Sequence, residues 1–294
     1  MKNILTTLSL VLFMSTFSFS DAEAQMKEEV LTRGPESGTL IIIGGAARDP
    51  IFREKFINLA GGENARIIIV PTAQGADRVE ERDPEYARLK APFEEIGVRS
   101  VHVLNTEDPE VANQESFIEP IKEATGVWFT GGRQWRIADG FLDTKAHNEF
   151  NKLLERGGVI AGSSAGATIQ GSYLARGDSR TNTIMMGDHE EGLSFVENVA
   201  IDQHLFARNR QFDMFEILDN RPELLGIGLD EDTGIVVQGN TFEVIGNSLV
   251  AIYDGTRWSA ERDTVYVLPE GSREFYVLRA GQKYDMLNRE VIRN

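Results

Sequence analysis

The chain is expected to fold as an α/β protein, a three-layer α/β/α sandwich with a mostly parallel central sheet and an antiparallel C-terminal extension. Three observations predict it. Five short apolar runs lack polar alternation, which marks strands buried on both faces. Segments with helical spacing lie between them. Past residue 226, short β-prone runs follow one another with Gly and Asn between them.

The first 24 residues stand apart from that fold. Lys2 supplies a positive start, Ile4 to Phe19 is apolar with Ser and Thr interspersed, and Ala22-Glu23-Ala24 is a small-x-small site. This predicts a secretory signal cut after Ala24. The alternative, an uncleaved anchor, is disfavoured by the short apolar core broken by hydroxyls. No other stretch is apolar enough to span a bilayer. The protein is therefore expected to be exported, periplasmic or extracellular, and free of the membrane after cleavage. Residues 25–37 are polar and expected to be a flexible leader, 38–255 the main α/β domain, and 256–294 a β extension packed on the same domain.

The strands run in order. Thr39 to Ile43 ends in Gly44-Gly45, and Arg66 to Val70 and Ser100 to Leu104 follow. Gly126 to Thr130 ends in Gly131-Gly132, and Gly158 to Ala161 ends at Gly162. Helices are expected over Tyr86 to Ile96 and Ala146 to Arg156, whose apolar residues recur near helical spacing. In parallel α/β sheets, ligands bind beyond the carboxyl ends of the strands, where these glycines sit. Ile235 to Val237, Thr241 to Ile245, Leu249 to Tyr253, Thr264 to Leu268 and Phe275 to Leu278 are the antiparallel strands of the extension.

With 294 residues, 41% of them hydrophobic, the chain can bury a full core. Its formal net charge of −16 repels nucleic acid and anionic membranes. It has no Cys, which excludes a disulfide framework, a thiolate metal site and a Cys nucleophile.

Gly162-Ser163-Ser164-Ala165-Gly166-Ala167 follows the fifth strand and matches Gly-x-Ser-x-Gly with Ser164 at its centre. The spacing suits a nucleophile, because small neighbours relieve the crowding of a strained strand-to-helix turn that lifts the hydroxyl above the sheet. Such a turn could instead hold a phosphate, but no Lys follows in phosphate-loop spacing. The N–H of Ala165 is one candidate oxyanion donor, and Gly132 in the Gly131-Gly132 turn is the second.

Four histidines compete for the role of base. His102 lies in an expected core strand, His147 near an exposed helix start, and His189 in the polar loop Gly187-Asp188-His189-Glu190-Glu191. His204 closes an apolar strand in Ala200-Ile201-Asp202-Gln203-His204, where a base belongs.

The ordered set Phe129-Thr130-Gly131-Gly132, the Ser164 turn and Asp202-Gln203-His204 with Arg208 and Arg210 resembles the cyanophycinase family of serine peptidases, to which aspartyl dipeptidases are distantly related. The resemblance runs from Gly38 to Gly255 and includes Gly226 to Thr233. It implies Ser164 as nucleophile and His204 as general base. Glu231 is the preferred third member because it stands at a strand end; Asp178 is the rival, and Asp230 or Asp232 could substitute. The resemblance also implies a pocket lined by Gln134, Asp202, Gln203, Arg208 and Arg210. It implies a cyanophycin-like or β-aspartyl peptide substrate, and a homodimer. No cofactor or metal is expected.

Asp202 would pair with a substrate guanidinium, and the arginines would hold a carboxylate. Two positions depart from the family pattern: Arg133 stands where an acid is usual, and Asp213 where an arginine is usual. These charge reversals leave open two other readings, a peptidase for other acidic or isoaspartyl peptides and a binding protein of the same fold without catalysis.

Overall fold

The computed structural model describes residues 31–254 and 275–293. The expected signal over 1–24, the first part of the leader and the expected strand Thr264 to Leu268 lie outside the described residues.

Strands β1 (Thr39–Ile43), β2 (Arg66–Val70), β3 (Ser100–Val103), β4 (Gly126–Phe129) and β5 (Val159–Ser163) form a parallel block in the spatial order β1-β5-β4-β2-β3. Strands β6 (Gly171–Tyr173), β7 (Val196–Gln203) and β8 (Leu225–Leu229) are parallel to one another and begin a second sheet. From β9 (Thr233–Gln238) onward every pairing is antiparallel. β9, β10 (Thr241–Gly246), β13 (Lys283–Asp285) and β14 (Glu290–Ile292) extend the first sheet beyond β1. β11 (Leu249–Asp254) and β12 (Phe275–Arg279) extend the second beyond β8. The single central sheet expected from sequence is thus accompanied by a second one of five strands.

The helices are α1 (Pro50–Leu59), α2 (Ala76–Arg82), α3 (Ala87–Glu94), α4 (Pro109–Ala112), α5 (Glu115–Glu123), α6 (Gln134–Phe141), α7 (Lys145–Glu155), α8 (Ala165–Thr168) and α9 (Met214–Asn220). Asp49 caps α1 by accepting from the Ile51 N–H, with Pro50 in the first turn, where its missing N–H costs nothing. α7 buries Ala146, Glu149, Phe150, Leu153 and Leu154, one face of a helix.

Strand alternation sorts the core into layers. Ile41, Ile43, Ile67 and Ile69 face one way and pack with Phe52 and Phe56 of α1 and Phe93 of α3. Leu40, Ile42, Ile68, Val127 and Phe129 face the other way. They meet helices α5, α6 and α7 and one face of the second sheet through Val199, Ile201, Ile227 and Ile252. The far face of that sheet is covered by Met214, Ile217 and Leu218 of α9. The three isoleucines and the leucine of β1 are all fully buried, which is why the run shows no polar alternation.

Two expectations change. β3 is the edge strand, so His102 is exposed rather than part of the core. The end of the expected leader is tied down: Thr32 is buried, Arg33 bridges to Glu197, and Pro35 accepts from the Gly239 N–H. Among the described residues no helix is long and apolar enough to cross a membrane.

Candidate active site

The parallel strands β1, β4 and β5 all point their carboxyl ends at one edge of the sheet, bringing Gly44-Gly45, Gly131-Gly132 and Ser164 together. Ser164 is the single residue between the end of β5 and the start of α8. Its backbone sits at φ 58°, ψ −115°, a conformation costly for a residue with a side chain. The surroundings hold it there. Its N–H donates to the Ile43 carbonyl at 2.9 Å, and its carbonyl accepts from Ala167 and Thr168 in the first turn of α8. A methyl group on Gly131 would stand 3.1 Å from the Ser164 Cβ, a tight approach, and 3.6 Å from its Oγ, an ordinary contact, so the Gly131 backbone passes close beside the serine. Among the described residues neither the Ala165 nor the Gly132 N–H has a hydrogen-bond partner. Both are therefore available to an incoming oxyanion.

His204 directly follows β7, also with a left-handed backbone, φ 54°. Its own N–H donates to the Gly44 carbonyl at 2.7 Å, which pins the end of β7 to the end of β1. The ring lies against Gly45, where any side chain would run into the imidazole. Nε2 stands 2.9 Å from the Ser164 Oγ, and Nδ1 stands 2.6 Å from a Glu231 Oε1. The arrangement assigns the proton of the neutral ring to Nδ1, where it is donated to the carboxylate, and leaves Nε2 to accept from the Ser164 hydroxyl. Burial pushes the imidazole pKa below its ordinary value; the Glu231 carboxylate pulls it back up, and Arg208 and Arg210 add to the lowering. The ring is thereby kept neutral and able to take a proton.

Glu231 is aimed by its neighbours. Asp230 accepts from the Phe206 and Ala207 N–H groups at 3.0 and 2.9 Å and from the Ser248 hydroxyl at 2.6 Å. Asp232 accepts from the Arg48 and Asp49 N–H groups at 2.8 and 2.9 Å and from Asn247. The two aspartates fasten the β8–β9 turn on either side, so neither substitutes for Glu231 behind the ring. Asp178, the rival, is buried and accepts from the N–H groups of Arg180 and Thr181, closing its own turn. His147 and His189 are engaged elsewhere, His147 with the Leu193 carbonyl and His189 between Asp139 and Asp188.

The residues expected to line the substrate pocket behave differently from expectation. Gln134 is buried, and its side-chain NH2 donates to the carbonyls of Ala175 and Arg176 at 2.8 and 2.9 Å. Gln203 and Arg210 are buried against each other, the Arg210 Nη1 donating to the Gln203 carbonyl and Oε1 at 3.0 and 3.2 Å. Asp202, expected to meet a substrate guanidinium, already holds an internal one. Arg176 donates Nε to its Oδ1 at 2.8 Å and Nη2 to its Oδ2 at 3.0 Å. Asp213 pairs with the same Arg176. Arg208 alone of the expected set is exposed, and among the described residues it makes no ion pair. Sequence reasoning missed Arg176, for no spacing or motif joins a loop arginine to an aspartate on another strand.

Comparison with known proteins bears on the chemistry. Residues 40–245 match the model of peptidase family S51. The chain belongs to that family. It is a serine-type peptidase. A cyanophycinase from Geminocystis herdmanii is 33% identical over 230 residues, covering 75% of this chain and 82% of its own. One from Trichormus variabilis is 29% identical over 286 residues, covering 90% and 91%. A peptidase E from Nostoc sp. is 21% identical over 239 residues, covering 78% and 90%. The fold of this S51 chain is shared with the crystal structure of a peptidase from an acI-B1 Actinobacterium. That structure has TM-score 0.61 and 23% identity, covering 86% of this chain and 98% of the other.

Proposed function

We propose that this S51 peptidase hydrolyses cyanophycin or related β-linked aspartyl peptides through an acyl-enzyme on Ser164. The observation that carries the reading is the line of three side chains in which the His204 ring bridges the Ser164 Oγ at 2.9 Å and Glu231 at 2.6 Å. Relatives named cyanophycinase support the substrate class.

In the first step the His204 Nε2 takes the Ser164 proton as Oγ attacks the peptide carbonyl. Glu231 keeps the ring in the tautomer that can accept and stabilises the imidazolium that forms. The N–H groups of Ala165 and Gly132 stabilise the oxyanion. His204 then gives its proton to the leaving amine, and water, activated the same way, releases the acyl group. Export is part of the proposal and is supported by the signal-like composition of residues 1–24.

The test is release of β-aspartyl-arginine from cyanophycin by the wild type and by Ser164→Ala. The variant should lose about 10⁴-fold or more in kcat. Equal release by both would overturn the reading.

A further inference from the structure

The segment between β6 and β7 folds back on itself. Backbone hydrogen bonds join its two arms: the Leu174 N–H donates to the Glu190 carbonyl at 2.8 Å, the Arg176 N–H to Met185 at 2.9 Å, and the His189 N–H to Gly177 at 3.0 Å. This loop is fastened to α6 at two levels. At the first residue of the helix, the Gln134 amide donates to the carbonyls of Ala175 and Arg176. Further along the helix, the His189 Nε2 stands 2.9 Å from an Asp139 carboxylate oxygen, while its Nδ1 stands 3.1 Å from Asp188. Both partners of this fastening lead to the site. α6 begins two residues after Gly132, one of the two oxyanion donors. The loop carries Arg176, whose partner Asp202 lies two residues before His204.

The geometry of the His189 ring fixes its charge. A carboxylate only accepts, and a neutral imidazole has a single N–H. Two ring nitrogens that each face a carboxylate oxygen are both satisfied only when both carry a proton. The Trp135 indole supports that state, with its centroid 6.0 Å from the ring and a tilt of 37°. Arg136 lies over the same indole at 5.1 Å. Asp188 also accepts the Ser179 O–H and N–H, which hold its carboxyl well below the usual range. Glu190 is turned to Arg221, and Asp178 closes its own turn and faces Arg180. Burial alone would lower the His189 pKa, but the hydrogen bonds and charges of Asp139 and Asp188 outweigh it and raise the value above 6.5. A surface ion pair is usually worth little. This one differs in that both ring nitrogens are committed and the ring joins two separate elements.

We propose that His189 is a positioning residue and a pH-sensitive clasp: as an imidazolium it ties the loop between β6 and β7 to α6, the helix that follows the oxyanion turn. Loss of its proton leaves a lone pair facing one of the two carboxylates, so one bond is replaced by repulsion and the loop loosens. Looseness then reaches the oxyanion turn through α6 and the base through Arg176 and Asp202. The sign follows from the raised pKa. The clasp's contribution is full below 6.5 and is lost as pH rises through the folded value. The claim of positioning rests on the proposed hydrolytic reading of Ser164, whereas the clasp itself does not.

Two sets of measurements separate the ideas. On Ser164→Ala, NMR titration of the His189 ring and amide hydrogen exchange read the clasp without any turnover. The ring midpoint should lie above 6.5, and Asp139→Asn should lower it. Exchange of the Arg176 and His189 amides, corrected for its intrinsic pH dependence, should speed up about tenfold as the ring loses its proton, because a charge-assisted hydrogen bond is lost. With intact Ser164 and cyanophycin as substrate, kcat/KM should fall about three- to tenfold to a lower alkaline plateau, the change carried by kcat. Asp139→Asn should move that limb to lower pH together with the ring midpoint. His189→Gln should abolish the limb and run at the lower level on both sides of it. A ring midpoint at or below 6.5, loop exchange indifferent to the titration, or an alkaline limb that stays put in Asp139→Asn overturns the inference. Should His189→Gln fail to fold, Asp139→Asn decides by itself, since that side chain is 43% exposed. The expected ring titration and loop exchange with no hydrolysis by the wild type would sink the hydrolytic reading alone and leave the clasp standing.

Discussion

Ser164 and His204 both carry left-handed backbones, φ 58° and 54°, and face each other across 2.9 Å. Strain of this kind persists only where neighbours over-determine it, and here those neighbours are backbone bonds to Ile43 and Gly44 at the end of one strand. The depressed pKa of His204 has a definite sign. The folded ring resists protonation to lower pH than an unfolded one, so its activity as base is full above the ordinary value of 6.5 and is lost as pH falls below it. The acid limb of kcat/KM should therefore have its midpoint below 6.5, and Arg208→Gln should move it upward by removing one of the charges that lower it. A midpoint that stays put or moves down in the variant would contradict the role of Arg208 beside the ring. Stability follows the same sign, its His204 contribution decreasing as pH falls towards the folded pKa. Glu231→Gln should lower kcat by about 10² to 10⁴-fold with little change in KM, since a Gln amide favours the wrong tautomer. A loss under tenfold, read by steady-state kinetics, would mean that Glu231 does not orient the base.

At the scale of elements, the site is a meeting of strand ends. β1 supplies Gly44 and Gly45, β4 supplies Gly131, β5 delivers Ser164, β7 delivers His204, and the β8–β9 turn delivers Glu231. Gly45 is the position where this convergence is tightest, because a side chain there would enter the volume of the imidazole. Gly45→Ala should displace the ring and cost about 10²-fold in kcat, while the core beneath it is unchanged. A variant with wild-type kcat would show that the ring need not lie where the structure puts it. Much of this was legible beforehand. The Gly-flanked serine after an unbroken apolar run, the His at the close of another, and the glycine pairs after β1 and β4 are local patterns. Glu231 was legible only as a preference, since Asp230 and Asp232 flank it and all three are carboxylates at the same strand end. What separates them is that the two aspartates spend their oxygens on backbone N–H groups of two different loops.

At the scale of the whole molecule, the C-terminal strands join both sheets. β12 pairs with β11 in the second sheet, and β13 pairs with β10 in the first. Leu278, Tyr284 and Met286 are fully or almost fully buried in the main core. Burying each is worth about 1.5–3 kcal/mol, and their sum, about 6 kcal/mol, rivals the net stability of an ordinary domain. A chain ending at Asp254 should therefore be insoluble or unfolded, as judged by circular dichroism and size-exclusion chromatography. A soluble, active product would show that the terminal strands are dispensable. Arg289 reinforces the point, for it pairs with the buried Asp254 at 2.5 Å and reaches the Glu223 carbonyl. Arg289→Ala should destabilise by about 1.5–3 kcal/mol by removing its charged hydrogen bonds to the buried Asp254 and the Glu223 carbonyl, measurable by denaturant unfolding.

The amino-acid sequence by itself determined the α/β class, the parallel block and the strand-to-helix serine, while His204 was marked as the base by the resemblance to a peptidase family. The first three are written in local periodicity or in the conformational demands of single residues, which neighbouring residues in the chain can express. Only the tertiary structure decided the second sheet, the exposure of His102, the choice of Glu231 over Asp178, and the partner of Asp202. Those depend on which distant groups share one buried space. A charge taken out of water accepts whichever opposite charge the fold brings within reach, and for Asp202 that is Arg176, 26 residues away along the chain.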